Sequence, residues 1–297
     1  MRILVTGGTG FIGQSLLPAL RERAGELVLL SRRSRPDEPG LRFVRRLDDI
    51  DDATHFDAVI NLAGASLAGR RWSQGYKREM VASRVGTTRE LVALFKRLPQ
   101  PPAVLLSGSA VGYYGHRGDE ILDESSPPGE DGFARDLCMD WEGAAVEAQA
   151  LGTRVCLMRL GVVLDNGGGA FEQMARSFNF GFGSWIGSGE QWLSWIHRAD
   201  AVAAMLWLLD HPELDGPFNL TAPQPVTSRE FCRVLSDYKR TLLDMPLPAP
   251  VARLLLGEMA DELLIHGQRV VPSALEASGF AFSLPDLPTA LASICAD

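Results

Sequence analysis

The opening segment "MRILVTGGTGFIGQSLL" constrains the fold of this chain more than any other. Arg2–Thr6 is a short apolar, β-rich run, and residues 11–20 carry apolar side chains at helical spacing. Gly7, Gly10 and Gly13 therefore fall where a strand turns into a helix. In that geometry Gly7 permits the tight turn, Gly10 lets a ligand approach the backbone, and Gly13 lets the helix pack on the sheet. A helix N-terminus presents unpaired N–H groups and partial positive charge, which suits a pyrophosphate. An ordinary glycine turn is the competing reading. The strand before and the helix after favour dinucleotide binding, with Gly7, Gly10, Phe11, Ile12 and Gly13 as the cofactor-facing residues. Pro18 lacks an N–H and is expected to kink the helix.

Strand and helix patterns then alternate. Strands are expected at 26–31, 41–46, 57–65, 101–110 and 153–164, and helices at about 72–97 and 133–152. This alternation predicts an α/β, Rossmann-type doubly wound parallel sheet, with ligands at the carboxyl ends of the strands. From about residue 166 the texture changes to glycine-, aromatic- and turn-rich segments, with helices at about 199–211 and 227–240. The expected organisation is a dinucleotide-binding domain over 1–165, its sheet open to completion by later segments, and a smaller substrate lobe over 166–297.

Bulk composition limits the partners. With 297 residues, 46% hydrophobic and 22% charged, the chain can bury a large core. A net charge of −8 and the lack of a basic block argue against a nucleic-acid surface. No apolar run reaches the ~18 residues of a membrane span. Cys138, Cys156, Cys232 and Cys295 show no metal-ligand spacing and read as reduced, mostly buried thiols. A strand starting at residue 2 leaves no room for a signal peptide, which predicts a cytoplasmic protein. The expected partner is a small molecule, with nucleotide-linked compounds among the candidates; a homodimer is compatible with the sequence.

The second strand ends in "LLSRRSR", and the first acid after it, Asp37, lies well into the loop. An acid at that strand end would bind the 2′-hydroxyl of NAD, whereas Ser31 and Arg32 suit the 2′-phosphate of NADP. A solvated basic loop is the alternative. "NLAG" at 61–64 puts Ala63 and Gly64, small residues that let the backbone approach the adenosine and ribose, after Leu62 at the end of the fourth strand.

TGGTGFIG, NLAGA, "SRVGTTRELV" and "RLGVVL" together resemble the extended short-chain dehydrogenases/reductases, the group that contains the nucleotide-sugar epimerases. More narrowly, "RRWSQGYKREMVASRVGTTREL", "GSGEQWLSWIHRAD" and "LLLGEMADELLIHGQRVVPSALEASGF" are similar to the YfcH-like epimerase-family proteins, and the similarity covers almost the whole chain. The resemblance implies NADP contacts from Ser31, Arg32, Leu62, Ala63, Glu79, Arg84 and Val163. It also implies a family-specific C-terminal segment, 246–297.

The family's usual chemistry pairs a tyrosine with a lysine four residues on, placing both on one helix face. The tyrosine exchanges the proton, and the ammonium lowers its pKa. No such pair exists here: Tyr76, Tyr113, Tyr114 and Tyr238 are followed at that spacing by Met80, Arg117, Gly118 and Leu242. On the helix near 133 the two positions read as Phe133 and Leu137, or as Ala134 and Cys138. Ser109 matches the family's catalytic serine, and Tyr113 or Tyr114 is the nearest alternative proton donor. Packing roles for all three are the competing reading. Lys77 reads as a surface lysine, Asp200 as a helix cap and His197 as more structural than catalytic. Trp185, Trp192 and Trp195 could wall a pocket. The functional expectation is an NADP(H)-dependent oxidoreductase or epimerase, with a non-catalytic NADP(H) sensor or scaffold as the alternative.

Overall fold

The computed structural model describes residues 1–296. Seven strands form one fully parallel sheet: β1 (Arg2–Thr6), β2 (Glu26–Leu30), β3 (Leu41–Val44), β4 (Ala58–Asn61) and β5 (Val104–Ala110), then β7 (Arg154–Leu160) and β12 (Gly216–Leu220). The short β6 (Ile121–Leu122) lies outside it. The strand order is β12-β7-β5-β4-β1-β2-β3. Parallel strands need crossovers, supplied here by α1 (Phe11–Arg23), α2 (Gln74–Val81), α3 (Thr87–Arg97) and α4 (Phe133–Val146). The order reverses between β1 and β4, so a crevice opens there at the strands' carboxyl ends.

Both faces of the sheet are covered. Ile3, Val5, Leu27, Ile60 and Leu106 meet α1 and α6 (Arg198–Asp210) on one side. Leu4, Val28, Val59, Leu105 and Val155 meet α3 and α4 on the other. Alternate residues of one strand thus enter opposite cores, as a two-sided sheet demands.

The chain leaves the main sheet after β7 and rejoins it at β12. After β8 (Val162–Leu164) it forms α5 (Phe171–Met174), β9 (Phe182–Ile186), β10 (Trp192–Leu193) and β11 (Trp195–His197), then returns through α6 and β12. Next come β13 (Val226–Thr227), α7 (Ser228–Lys239), β14 (Leu243–Leu247), α8 (Ala249–Leu256) and α9 (Glu258–Ala260). The chain closes with β15 (Arg269–Val270), α10 (Ser273–Ala277) and α11 (Leu287–Cys295). The C-terminal segment reaches the main sheet, where Leu275 and Phe280 are buried in its core.

Several local expectations change. Helix α1 runs through Pro18 as one helix. The strand expected at 57–65 ends at Asn61, and that expected at 153–164 divides at Gly161. A Cβ at Gly161 would stand 2.7 Å from the Ser194 carbonyl oxygen, so the close approach of Ser194 shifts the chain from the main sheet to a pairing of β8 with β11. Asp200 does not cap α6. His197 does, its Nδ1 accepting the Ala199 N–H at 3.1 Å, while the buried Asp200 carboxylate accepts the Ser283 and Leu284 N–H groups, each at 2.9 Å. Among the described residues no helix is long and apolar enough to cross a membrane. Nor does any group of three or more His, Cys, Asp or Glu residues there stand ready for a metal ion.

Candidate functional site

The turns after β1 and β4 touch at the switch point. Gly7 has φ +68°, and a Cβ on it would strike the Leu62 carbonyl and stand 2.8 Å from Ala63 N. Only glycine fits there. Gly13 serves a different contact from the one expected. Its missing Cβ would lie 2.5 Å from Gly8 Cα, so it seats α1 against its own loop. Gly10 caps α1 without any side-chain bond, leaving the first N–H groups of the helix to face the crevice. Phe11 packs under Gly168 and Gly169 and beneath the Arg198 guanidinium at 4.6 Å, and Ile12 joins the main core.

At the end of β2 the buried Ser31 donates its hydroxyl to the Arg33 carbonyl at 2.8 Å. The serine shapes the basic loop instead of pointing out of it. Arg32 is exposed and has no ion-pair partner among the described residues. Asp37 is occupied elsewhere, accepting the Phe43 N–H at 2.8 Å.

The end of β4 is held by a buried chain of hydroxyls and amides. Thr6 Oγ1 donates to Asn61 Oδ1 at 2.6 Å, Asn61 Nδ2 donates to Thr88 Oγ1 at 2.8 Å, and Thr88 donates to the Arg84 carbonyl at 2.8 Å. Thr6 also accepts the Ala63 N–H, and Ser83 the Ala65 N–H. Residues 82–86 form one π-helical turn between α2 and α3, a distortion often found at functional sites. It delivers Arg84 to the crevice.

The Arg84 guanidinium is buried beside the Trp141 ring, 5.3 Å from its centroid, and against Gly64. Burial lowers its pKa, and Nη1 has no hydrogen-bond partner. Glu79 is half-buried and pairs with the exposed Arg70 at 3.5 Å. Val163 is half-buried in β8 beside Ile196 of β11.

The three residues expected to do chemistry gather around the buried Arg159, but two of them have their hydroxyls engaged there. Ser109 is buried and donates to Glu142 Oε1 at 2.6 Å. Glu142 pairs with Arg159 through two 2.9 Å bonds, and Arg159 Nη1 donates to the Tyr114 hydroxyl at 2.9 Å. Tyr114 in turn donates to Asn219 Oδ1 at 2.8 Å. Its hydroxyl is fully buried, and burial pushes its pKa up to about 12. Ser109 and Tyr114 thus have their hydroxyls engaged in an interior network, as the competing packing reading expects. Tyr113 is the exception: it is half-buried, its ring stacks on Arg159 at 3.5 Å, and its hydroxyl has no hydrogen-bond partner among the described residues.

The space around the missing tyrosine is filled. Phe133 meets Trp72 edge-on at 5.2 Å and lies under Lys77 Nζ at 4.7 Å. Lys77 is no surface lysine, because its Nζ pairs with Glu258 at 2.5 Å and the side chain is mostly covered. Glu262 reaches back from the C-terminal segment to accept the Phe133 and Ala134 N–H groups at 3.3 and 3.2 Å. Burial pushes the Cys138 thiol up to about 12, so it is no nucleophile at neutral pH. The three tryptophans wall no common pocket. Trp195 is fully buried with Nε1 on the Gln224 carbonyl, Trp192 bonds Asp119, and Trp185 joins the core beneath α7.

Glu142, Arg159, Asn219 and Glu262 were not anticipated. The one usable signal is Arg159 itself, a charge inside the otherwise apolar strand "VCLMRL". A buried strand carries such a residue only if it is paired.

A strand–glycine loop–helix unit at the switch point of a parallel sheet defines a dinucleotide-binding α/β protein. The chain belongs to the NAD dependent epimerase/dehydratase family, whose model matches residues 3–220; a domain of unknown function, DUF1731, matches 247–294. It is 39% identical over 282 residues to "Epimerase family protein ML0860" of Mycobacterium leprae, covering 94% of this chain and 91% of that one. The crystal structure of human epimerase family protein SDR39U1 (isoform 2) with NADPH superposes with a TM-score of 0.91 at 34% identity, covering all of both chains. MoeE5 in complex with UDP-glucuronic acid and NAD shares the fold, with a TM-score of 0.78 at 20% identity over all of this chain and 98% of that one.

Proposed function

We propose that this chain binds NADP(H) in the β1/β4 crevice without a tyrosine–lysine pair for proton transfer. Arg84 carries the reading. A buried guanidinium nitrogen with no partner costs stability, and a ribose or phosphate oxygen in the crevice would satisfy it. Gly7 and Gly10 leave the backbone open to a pyrophosphate, while Phe11, Ile12 and Gly13 fix the start of α1 below it. Arg32, exposed and without an ion-pair partner among the described residues, offers a cation to a 2′-phosphate, and Ser31 sets its loop. Leu62, Ala63 and Gly64 line the adenosine and ribose side, with Glu79 and Val163 at its edges. The NADPH-bound relative at 34% identity supports the choice of cofactor. When bound, NADPH supplies a hydride donor; this chain's residues hold and orient it.

Calorimetric titration tests the reading. NADPH should bind more tightly than NADH, and Arg32→Ala should weaken NADPH by about 1.5–3 kcal/mol, the worth of a charged hydrogen bond, while sparing NADH. Equal affinity for the two cofactors would overturn it.

A second reading, an active oxidoreductase or epimerase on a small or nucleotide-linked substrate, is favoured by Tyr113, whose hydroxyl is unengaged at the end of β5. Single-turnover NADPH oxidation over carbonyl compounds and nucleotide sugars tests it. Tyr113→Phe should slow a genuine reaction by about 10²–10⁴-fold, the usual contribution of a general acid. Turnover that survives this change removes Tyr113, and no turnover with any substrate leaves a cofactor-binding sensor or scaffold.

A further inference from the structure

Arg84 is closed off from the water it would exchange for a ligand. Its side chain is buried, and Nη1 meets neither a partner nor solvent. An oxygen can reach that nitrogen only if something packed around it moves. Beside the guanidinium stand Gly64 at the end of β4 and Trp141 of α4. Trp141 and Val85 are buried in one apolar cluster with Met80 of α2 and with Met259, and Leu263 packs against that cluster. Most of these pieces are anchored. Strand β4 lies inside the sheet, the Glu142–Arg159 pair ties α4 to β7, and α2 runs on through its π turn into α3. Met259 and Leu263 arrive instead from the C-terminal segment.

Residues 258–266 hang between two glycines. Gly257 has φ +65° and ψ −143°, a conformation that glycine alone adopts readily, and it breaks the helical path from α8 to α9. Gly267 is pinned, because a Cβ there would strike the Trp192 carbonyl. Between them Asp261–Ile265 make a π-helical turn with no buried residue. The polar contacts of this stretch lie at its margin. Glu258 pairs with Lys77, and Glu262 accepts the Phe133 and Ala134 N–H groups. The Leu264 carbonyl accepts from Gln191 Nε2 at 2.8 Å, and His266 stacks on the exposed His116 with ring centroids 4.6 Å apart.

We propose that residues 258–266 are a lid on the Arg84 pocket, hinged at Gly257, which lifts to admit the cofactor. What enters rests on the NADP(H) reading; the lid itself does not. Glu258 is half exposed, and an ion pair of that kind adds little to stability, so the latch is weak. Met259 and Leu263 supply the main drive for closure by leaving water. A segment with so few buried contacts opens at far lower cost than the whole fold. Once closed over a nucleotide, the lid keeps Arg84 dry. A charged hydrogen bond to a ligand oxygen is stronger there than in water.

Cys138 reports on opening without any cofactor. It is buried on α4, one turn before Trp141 and within reach of the Arg84 charge. Cys156 is buried in the core of the main sheet and reports on global unfolding. Alkylation of the full chain by N-ethylmaleimide, followed at both cysteines by mass spectrometry, should be faster at Cys138. Lys77→Met and Glu258→Gln keep the side-chain shapes and break the rim pair. Either should speed Cys138 about three- to fivefold and leave Cys156 unchanged. NADPH at about ten times its dissociation constant should slow Cys138 in the wild type by about tenfold. Equal Cys138 rates in the wild type and both variants would overturn the lid. So would a parallel rise at Cys156, the mark of a loosened fold. A response to the variants without protection by NADPH would uphold the lid and count against the cofactor reading.

Discussion

Arg84 and Gly64 are in contact: a Cβ at Gly64 would stand 2.9 Å from the Arg84 Cζ. The glycine is what allows the guanidinium to lie flat against the end of β4. Arg84→Met keeps the stem and removes the charge, so NADPH affinity should fall about 10–100-fold, the equivalent of about 1.5–3 kcal/mol. The cofactor-free protein should gain stability in urea, because a buried charge with an orphan donor has gone. Unchanged affinity in the titration would refute a cofactor role for Arg84.

Glu142→Ala should act in the opposite sense. It strands the buried Arg159 guanidinium, and breaking such a pair typically costs about 3–5 kcal/mol. Ser109→Ala removes one hydrogen bond of the same network and should cost about 1 kcal/mol. Urea denaturation of both variants checks the ranking. A Ser109→Ala protein of near-native stability with collapsed turnover would return that serine to the chemistry.

His197 predicts a pH dependence. Burial lowers its pKa below the ordinary histidine value, with nearby Asp165 and Asp200 pulling weakly the other way. The unfolded chain therefore binds a proton that the folded chain refuses. The stability due to neutral His197 is full above the unfolded value near 6.5 and is lost as pH falls toward the folded one. His197→Asn keeps a capping side chain without the titration, so between pH 7 and pH 5 its melting temperature should fall less than that of the wild type. Parallel pH profiles would exclude the effect.

The C-terminal segment holds α4 through Glu262. Glu262→Ala frees the Phe133 and Ala134 N–H groups and should cost about 1 kcal/mol, as loss of a helix cap does. Truncation near residue 245 should give insoluble or unstable protein, since it also removes Leu275 and Phe280 from the main core. Solubility and thermal melting of the two proteins decide the point. A soluble, stable fragment would contradict this account.

The glycine loop was legible because its information is local: strand, turn and helix lie within 23 residues. The basic end of β2 was legible for the same reason. The 72–97 helix was expected, but not its π turn, because one extra residue in a helical repeat leaves no mark in the sequence. The partner of Ser109 was not legible, because Glu142 stands 33 residues away and only the docking of α4 on β5 brings them together. Lys77 was misread because Glu258 covers it from 181 residues further along. Contacts of that span belong to packing and not to pattern.

The placement of Leu275 and Phe280 inside the main core bears on how the protein is made. A ribosome delivers the glycine loop first, yet the core behind it stays open until α10 has been synthesised. Asp200 waits similarly for Ser283 and Leu284 to take up its carboxylate. During most of translation the nascent sheet shows water an apolar floor with no cover, a state in which chaperones have something to hold. Nonsense mutations in the last tenth of the gene should thus behave as folding lesions, however intact the nucleotide crevice they leave behind.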